Sequence, residues 1–189
     1  MMTALWSSFL VVALAEMGDK TQLMALALAA RFRRPWTVML GILIATVCNH
    51  GLAATVGVWV ARVLPPAALA WGLAAGFVAF GAWTLVPDKA PEAWAGTTWG
   101  PLLTTVVVFF LAEMGDKTQL ATVALGARFD SAVAVTTGTT LGMLVADGLV
   151  VLAGARLTTL VPMRQIRWFA AGLFLFFGLL AAIGAVTDH

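Results

Sequence analysis

The nine-residue sequence AEMGDKTQL occurs twice in this chain of 189 residues, at positions 15–23 and 112–120. Each copy carries two carboxylates and one ammonium group inside an otherwise apolar stretch. The likeness extends beyond the motif, because the same offset of 97 residues carries Gly41 onto Gly138 and continues along the chain without a gap. The chain is therefore a tandem duplication, and its fold must be built from two copies of one unit.

The composition predicts that both copies lie in a membrane. The chain is 61% hydrophobic and only 11% charged, whereas soluble proteins carry about 25% charged residues. A membrane-spanning helix needs about 20 predominantly apolar residues. Six runs meet that requirement, at residues 3–30, 36–61, 67–86, 102–127, 131–155 and 168–186. The sequence thus predicts an all-α integral membrane protein with six transmembrane helices.

The two copies are expected to be inverted relative to each other. Residues 1–86 and 102–189 each hold three predicted spans, and residues 87–101, rich in Pro, Gly and Thr, form the linker between them. Because three is odd, the second copy enters the membrane from the opposite side. Inverted repeats are common in secondary transporters, whose binding sites lie at the midplane between repeats. The alternative is a duplication that only stabilises a helical bundle.

Loop charges predict the orientation. One face of the membrane holds seven basic residues, and the other holds only Arg62 and Arg128. The seven are Arg31, Arg33, Arg34, Lys89, Arg156, Arg164 and Arg167. Cytoplasmic loops carry an excess of Lys and Arg, so the face with seven is expected to be cytoplasmic. Both termini are then expected to lie outside the cytoplasm.

Several classes of function are disfavoured by what the sequence contains. A single cysteine, Cys48, permits neither an internal disulfide nor a cluster of thiolate ligands within one chain. No phosphate-binding GxxxxGK[ST] motif occurs, so ATP hydrolysis is not expected. The basic residues are spread over short loops, which does not suit nucleic-acid binding. The expected partners are membrane lipids and small solutes, and a gradient must supply the energy.

The first motif places its charged groups close together if it forms one helix. Asp19 lies three residues after Glu16, on the same helix face and about 4.5 Å further along the axis. Lys20 lies four residues after Glu16, the spacing of an internal ion pair. Both carboxylates can therefore point at one place, and Lys20 can partly neutralise them when no ion is bound.

The remaining motif residues add oxygen ligands and freedom of the main chain. Gly18 allows the helix to loosen, which makes main-chain carbonyl oxygens available. Thr21 and Gln22 offer neutral side-chain oxygens next to the carboxylates. The second motif repeats the set with Glu113, Asp116, Lys117, Thr118 and Gln119. All these residues are candidate cation ligands, except the two lysines, which are expected to balance charge.

The charge of the paired motifs predicts a divalent cation. Each motif has two negative groups and one positive group, so two motifs meeting at the midplane sum to −2. Oxygen ligands suit hard ions such as Ca²⁺, Mg²⁺ and Mn²⁺. A thioether ligand from Met17 or Met114 favours Mn²⁺ over Ca²⁺, although helical methionines more often pack. A purely structural ion cluster is the alternative, but burying charge costs several kcal/mol per ion.

Two further polar positions lie inside predicted spans and are related by the same offset. His50 corresponds to Asp147, and Asn49 precedes His50. Ionisable residues inside a membrane commonly mark ion pathways and proton relays. We expect Asp147, Asn49 and His50 to line the pathway, to orient the carboxylates or to relay protons. A hydrogen-bonded core pair remains an alternative, above all for His50.

The duplicated EMGDKTQ resembles the Gdt-type membrane family, which includes Golgi manganese and calcium exchangers of eukaryotes and small bacterial manganese exporters. The resemblance covers essentially the whole chain. It implies exchange of a divalent cation against protons, with Glu16, Asp19, Glu113 and Asp116 binding the cation. The chain lacks the amino-terminal extension and long acidic central loop of larger relatives, which suits a multi-pass protein of a bacterial inner membrane. Gln22 and Gln119 depart from the small polar residue of many eukaryotic relatives.

The leading hypothesis is a secondary transporter, not an enzyme, that needs no cofactor and exports Mn²⁺, with Ca²⁺ as a second candidate substrate, in exchange for H⁺. Export of another small solute is an alternative. An intramembrane aspartyl protease is a further alternative, because Asp19 and Asp116 both follow glycine. That protease signature needs glycine where Glu16 and Glu113 stand. A monomer and a homodimer both remain compatible with the sequence.

Overall fold

The computed structural model describes residues 1–86, 99–153 and 163–187. All regular secondary structure in this part is α-helical. The helices are α1 (Met2–Glu16), α2 (Lys20–Phe32), α3 (Pro35–Val63), α4 (Pro66–Thr84), α5 (Pro101–Glu113), α6 (Lys117–Phe129), α7 (Ala132–Ala153) and α8 (Met163–Thr187). Most of the expected linker, including Lys89, and the expected loop residue Arg156 lie outside the described residues.

Within the described residues, four helices are long and apolar enough to cross a membrane. They cover Pro35–Val63, Pro66–Thr84, Ala132–Leu152 and Trp168–Val186. Each of the four coincides closely with a run expected from the sequence. The chain is therefore an all-helical membrane protein, and α1 and α5 add two shorter apolar helices.

The first and fourth expected spans differ from the prediction, because each is broken in two. The run at 3–30 divides into α1 and α2, and the run at 102–127 divides into α5 and α6. Both breaks fall inside the duplicated motif, where Gly18 has φ +84° and Gly115 has φ +75°. Positive φ is incompatible with a right-handed helix and is tolerated best by glycine, so the main chain leaves the helix there.

The helices of the first half pack mainly against those of the second. Helix α1 packs on α7, and its counterpart α5 packs on α3; α6 and α7 also pack on α3, and α4 packs on α8. This arrangement brings the two motif breaks together inside the bundle, where α1 meets α6 and α2 meets α5. The phenylalanines Phe77 and Phe174 are buried at the contact between α4 and α8.

The packing around the two breaks is not symmetric. Helix α4 packs on α6, and α8 packs on α1, whereas α2 and α5 make little contact with α4 or α8 in the part that the structure describes. The bundle is therefore closed around α1 and α6 and more open around α2 and α5.

The contact between α3 and α6 depends on Gly57. A Cβ atom at this position meets the Val123 carbonyl oxygen at 2.0 Å and the Ala127 nitrogen at 2.9 Å. Both are main-chain atoms of α6, so no side-chain rotation relieves the overlap and the two helices must separate. We expect Gly57→Ala to cost at least about 1–3 kcal/mol of stability, measured as a lower melting temperature of the purified protein in detergent.

The matched control is Gly72→Ala on α4. A Cβ atom at Gly72 meets nothing within 4 Å, and alanine is the better helix former. This variant is expected to keep or raise the melting temperature. Equal melting temperatures for the two variants would contradict the close approach of α3 and α6.

Candidate metal site

Each motif turns the chain out of its helix between the glutamate and the lysine. Helix α1 ends at Glu16, Met17 is extended, and Asp19 precedes the first residue of α2. The Asp19 N–H donates to the Glu16 carbonyl oxygen at 3.0 Å, which closes a tight turn around Gly18. The loosening expected at Gly18 is confirmed. The expectation that Glu16 and Asp19 share one continuous helix face is wrong, because the helix is interrupted between them.

The second motif repeats this turn, with a glutamine completing it in each copy. The Asp116 N–H donates to the Glu113 carbonyl oxygen at 3.1 Å. The Gly18 N–H donates to Gln22 Oε1 at 2.8 Å, and the Gly115 N–H donates to Gln119 Oε1 at 2.7 Å. A polar N-cap residue followed three positions later by Gln or Glu is a signature of a helix start. The sequences DKTQ at 19–22 and 116–119 fit that signature, which could have revealed both breaks.

Three carboxylates from the two motifs converge at the breaks. One oxygen from each of Glu16, Asp19 and Asp116 lies within 4.8 Å of the other two. All three side chains are buried. Such a cluster of oxygen donors is the ligand type that hard divalent cations prefer. The two motifs together, and neither one alone, form this cluster.

Two threonines fix the Glu16 carboxylate from opposite motifs. Thr21 Oγ1 donates to Glu16 Oε2 at 2.6 Å, and Thr118 Oγ1 donates to Glu16 Oε1. Thr21 and Thr118 were both expected to contribute oxygens beside the carboxylates, and both lie there. Their hydroxyl groups hold Glu16 in an orientation that faces both aspartates.

The two lysines exchange partners between the motifs. Lys20 Nζ lies 3.0 Å from Asp116 Oδ1, and Lys117 Nζ lies 2.6 Å from Asp19 Oδ1. The expected pairing of Lys20 with Glu16 is replaced by this reciprocal pairing. The spacing of four residues brings two side chains together only on a continuous helix, and the break at Gly18 removes that condition.

Glu113 and Asp147 are buried near this cluster, and His50 is buried on α3. Glu113 interacts electrostatically with Glu16, both aspartates and Asp147. Within the described residues, neither carboxylate oxygen of Glu113 or Asp147 and neither ring nitrogen of His50 makes a hydrogen bond. The hydrogen-bonded core pair considered for His50 is therefore not formed there. These groups remain candidates for the pathway.

Hydrogen bonds of Asn49 and the two glutamines connect each helix break to the long helix of the opposite half. Gln119 Nε2 donates to Asn49 Oδ1 at 2.5 Å, and Asn49 Nδ2 donates to the Phe110 carbonyl oxygen at 3.3 Å. Gln22 Nε2 donates to the carbonyl oxygen of Ala146 at 2.7 Å. The amide oxygens expected as cation ligands thus accept from the glycine N–H groups.

Access to the cluster differs between its two sides. The Lys20 side chain is 24% exposed, whereas the Lys117 side chain is 3% exposed. Met114, beside the second break, is also exposed, while its counterpart Met17 is half-buried. The more open side is the one lined by α2 and α5, in agreement with the packing of the bundle.

A buried cluster of carboxylates at two helix breaks in a helical membrane protein defines a membrane transporter of cations. The chain belongs to the GDT1 family of divalent cation/proton antiporters, whose family model matches residues 4–92 and 101–189. No solved structure matches the chain significantly.

Named relatives cover the chain almost end to end. A protein of Vibrio cholerae named "Putative manganese exporter" is 46% identical over 182 residues, covering 96% of this chain and 91% of that protein. "GDT1-like protein sll0615" of Synechocystis is 26% identical over 203 residues, covering 96% and 97%. "GDT1-like protein 3" of Arabidopsis thaliana is 28% identical over 202 residues, covering 92% and 68%.

The two lysine pairs are predicted to differ in their effect on stability. Lys117→Ala leaves Asp19 buried without its ammonium partner, and breaking a buried pair in this way costs about 3–5 kcal/mol. Lys20→Ala is expected to cost less, because the Lys20–Asp116 pair is less deeply buried than the Lys117–Asp19 pair. The measurement is the melting temperature of each purified variant in detergent without divalent cations.

A double substitution tests whether charge causes the loss. Adding Asp19→Asn to Lys117→Ala removes the uncompensated carboxylate and is expected to recover part of the melting temperature. Equal effects of Lys20→Ala and Lys117→Ala, without recovery in the double variant, would show that the ion pairs do not set the stability.

Proposed function

We propose that this chain exports Mn²⁺ from the cytoplasm of a bacterium, across its inner membrane, in exchange for protons. The observation that carries the proposal is the convergence of Glu16, Asp19 and Asp116, whose oxygens lie within 4.8 Å of one another. Opposite oxygen ligands of one Ca²⁺ ion lie about 4.6–5.2 Å apart, and those of a smaller ion lie closer. A single divalent ion therefore fits between these three side chains with little rearrangement.

The choice of Mn²⁺ rests on the ligand types and on a relative. Carboxylate and hydroxyl oxygens suit Mn²⁺ as well as Ca²⁺. Met17 and Met114 follow the glutamates in the sequence, but Met17 is half-buried and Met114 is exposed, so the thioethers do not carry this choice. The Vibrio cholerae protein, 46% identical over nearly the whole chain, carries a manganese exporter's name. Ca²⁺ is the second candidate substrate, and export of another small solute is not supported by so compact an anionic cluster.

The charges of the two motifs support exchange for two protons per cation. The four motif carboxylates and two motif lysines sum to −2, which a divalent cation neutralises. Without the cation, an uncompensated charge of −2 inside the membrane is costly. We assign the two replacing protons to Glu16 and Glu113, while Lys117 and Lys20 balance Asp19 and Asp116. Glu113 suits this role, since it is buried without a hydrogen-bond partner in the described part of the chain.

The proposed architecture is two inverted repeats of three spans, residues 1–86 and 102–189. The broken helices α1 with α2 and α5 with α6 each form one span. The reciprocal packing of α1 on α7 and α5 on α3 supports this arrangement, as does the occurrence of both breaks at equivalent positions. Broken helices that meet at the midplane commonly form ion sites in transporters.

The asymmetric packing suggests which side the site faces. With both termini outside the cytoplasm, α1 and α6 occupy the outer half of the membrane, and α2 and α5 occupy the cytoplasmic half. The bundle is closed around α1 and α6 and more open around α2 and α5. In this assignment the structure faces the cytoplasm, the side from which an exporter takes its cation.

Flux into sealed liposomes tests the proposal. With an acidic lumen, protons leave as Mn²⁺ enters, so Mn²⁺ is expected to accumulate inside against its own gradient. A membrane potential alone is expected to have little effect, because two protons balance one dication. Strong driving by the potential with indifference to the pH gradient would contradict exchange for protons.

The site itself is tested by Glu16→Gln and Glu113→Gln. Each removes one of the four motif carboxylates, so the charge of a bound dication is no longer matched in an apolar setting. We expect the initial rate of Mn²⁺ uptake to fall at least about tenfold, an effect of about 1.4 kcal/mol or more. Asp130→Asn is the matched control, because Asp130 is exposed and pairs with Arg62 away from the motifs. Wild-type rates in both glutamate variants would contradict the proposed site.

A further inference from the structure

Each motif glutamine forms a bridge from its own helix break to the opposite half of the chain. Gln22 accepts from the Gly18 N–H at 2.8 Å and donates to the Ala146 carbonyl oxygen, on α7, at 2.7 Å. This side chain is buried. Its amide group therefore has hydrogen-bond partners at both ends, one on each side of the contact between the two halves.

The second glutamine forms the corresponding bridge. Gln119 accepts from the Gly115 N–H at 2.7 Å and donates to Asn49 Oδ1, on α3, at 2.5 Å. Asn49 and Ala146 are separated by the offset of 97 residues that relates the two halves. Each glutamine therefore joins the helix break of its own half to the long helix of the other half. That helix is α7 for Gln22 and α3 for Gln119.

We infer that Gln22 and Gln119 are positioning residues rather than cation ligands, and that each holds its helix break in register with the long helix of the opposite half. The inference rests on the proposed transport of Mn²⁺. A main-chain N–H beside a helix start has no partner within that helix, and in each motif the glutamine oxygen supplies one. The amide nitrogen then anchors the break, and with it the neighbouring glutamate and aspartate.

The two bridges differ in one chemical respect that makes the inference testable. The acceptor for Gln22 is a main-chain carbonyl, which can only accept a hydrogen bond. The acceptor for Gln119 is the Asn49 side chain, which can rotate by half a turn and donate instead, at the cost of its own hydrogen bond to the Phe110 carbonyl oxygen. Replacing glutamine by glutamate keeps an oxygen for the glycine N–H but removes the donor. Q22E therefore places a carboxylate oxygen against the Ala146 carbonyl oxygen, whereas Q119E can receive a hydrogen bond from a rotated Asn49.

The experiment compares the Kd for Mn²⁺ of purified full-length variants in detergent. We expect Q22E to raise the Kd at least about tenfold, the effect of leaving buried polar groups unpaired. We expect Q119E to raise it only about two- to threefold, because a rotated Asn49 compensates in part and Gln119 is half-buried. Adding N49A to Q119E removes that compensation, and the Kd is expected to rise by more than the product of the two single effects.

A ligand role predicts the opposite pattern. If the glutamine oxygens bind the cation, glutamate keeps an oxygen ligand and adds negative charge, so Q22E and Q119E both bind Mn²⁺ as tightly as the wild type or more tightly. That result would overturn the inference. Size-exclusion chromatography shows whether Q22E folds. If it does not fold, the Kd values of Q119E and N49A/Q119E still test the inference. A rise in the Kd of the double variant equal to the product of the two single effects would overturn the inference.

The failure of this inference differs from the failure of the proposed function. A wild-type protein that neither binds nor transports Mn²⁺ contradicts the proposed function before any variant is compared. A wild-type protein that binds Mn²⁺, with both glutamate variants unimpaired, contradicts only the positioning role. Rates of Mn²⁺ uptake in liposomes, measured below and above saturation, add a second readout. Q22E is expected to raise the KM more than it lowers the maximal rate.

Discussion

The exchange of lysine partners between the two motifs is the interaction on which the site depends. Lys20 pairs with Asp116, and Lys117 pairs with Asp19, so neither motif neutralises its own aspartate. Buried ions are costly unless they are paired in good geometry, and here the pairing is complete only when both halves of the chain meet. The packing of α1 on α7 and α5 on α3 therefore has an electrostatic role as well as an apolar one. The same meeting brings Glu16 close to both aspartates, and we propose that a divalent cation replaces the lysines there as the principal counter-charge.

The two helix breaks allow carboxylates from both motifs to converge in one cluster. On an unbroken helix the motif carboxylates lie along one face and compete for one lysine. The turn at Gly18 and its counterpart at Gly115 direct each aspartate away from its own lysine and toward the other motif. A break also weakens the mechanical link between the two parts of a span, which suits a carrier that must open its site alternately to each side. Helices α4 and α8 pack unevenly around the two breaks, which leaves the cluster more open on one side than on the other.

The sequence predicts most of the helices and points to the two motifs whose charged residues the structure brings together, but not the pairing of those residues. The long helix α3, expected at 36–61, runs over Pro35–Val63, because apolar runs bounded by proline and arginine define a span well. The lysine exchange could not be predicted, since the rule for residues four apart assumes a continuous helix and partners 96 and 98 residues apart leave no local signal. The DKTQ pattern did contain a local signal for the breaks. The unequal exposure of Lys20 and Lys117 cannot be read from identical motifs, and it accompanies the uneven packing of α4 and α8 around the two breaks.

We propose that both motifs together bind one divalent cation. Calorimetric titration of the purified protein with Mn²⁺ tests it directly, because the stoichiometry reports how many sites the chain holds. We expect one Mn²⁺ per chain in the wild type and loss of that binding in both Asp19→Asn and Asp116→Asn, since each aspartate contributes an oxygen to the same cluster. Two Mn²⁺ ions per chain, with one ion retained after either substitution, would contradict a shared site and would show that each motif binds a cation on its own.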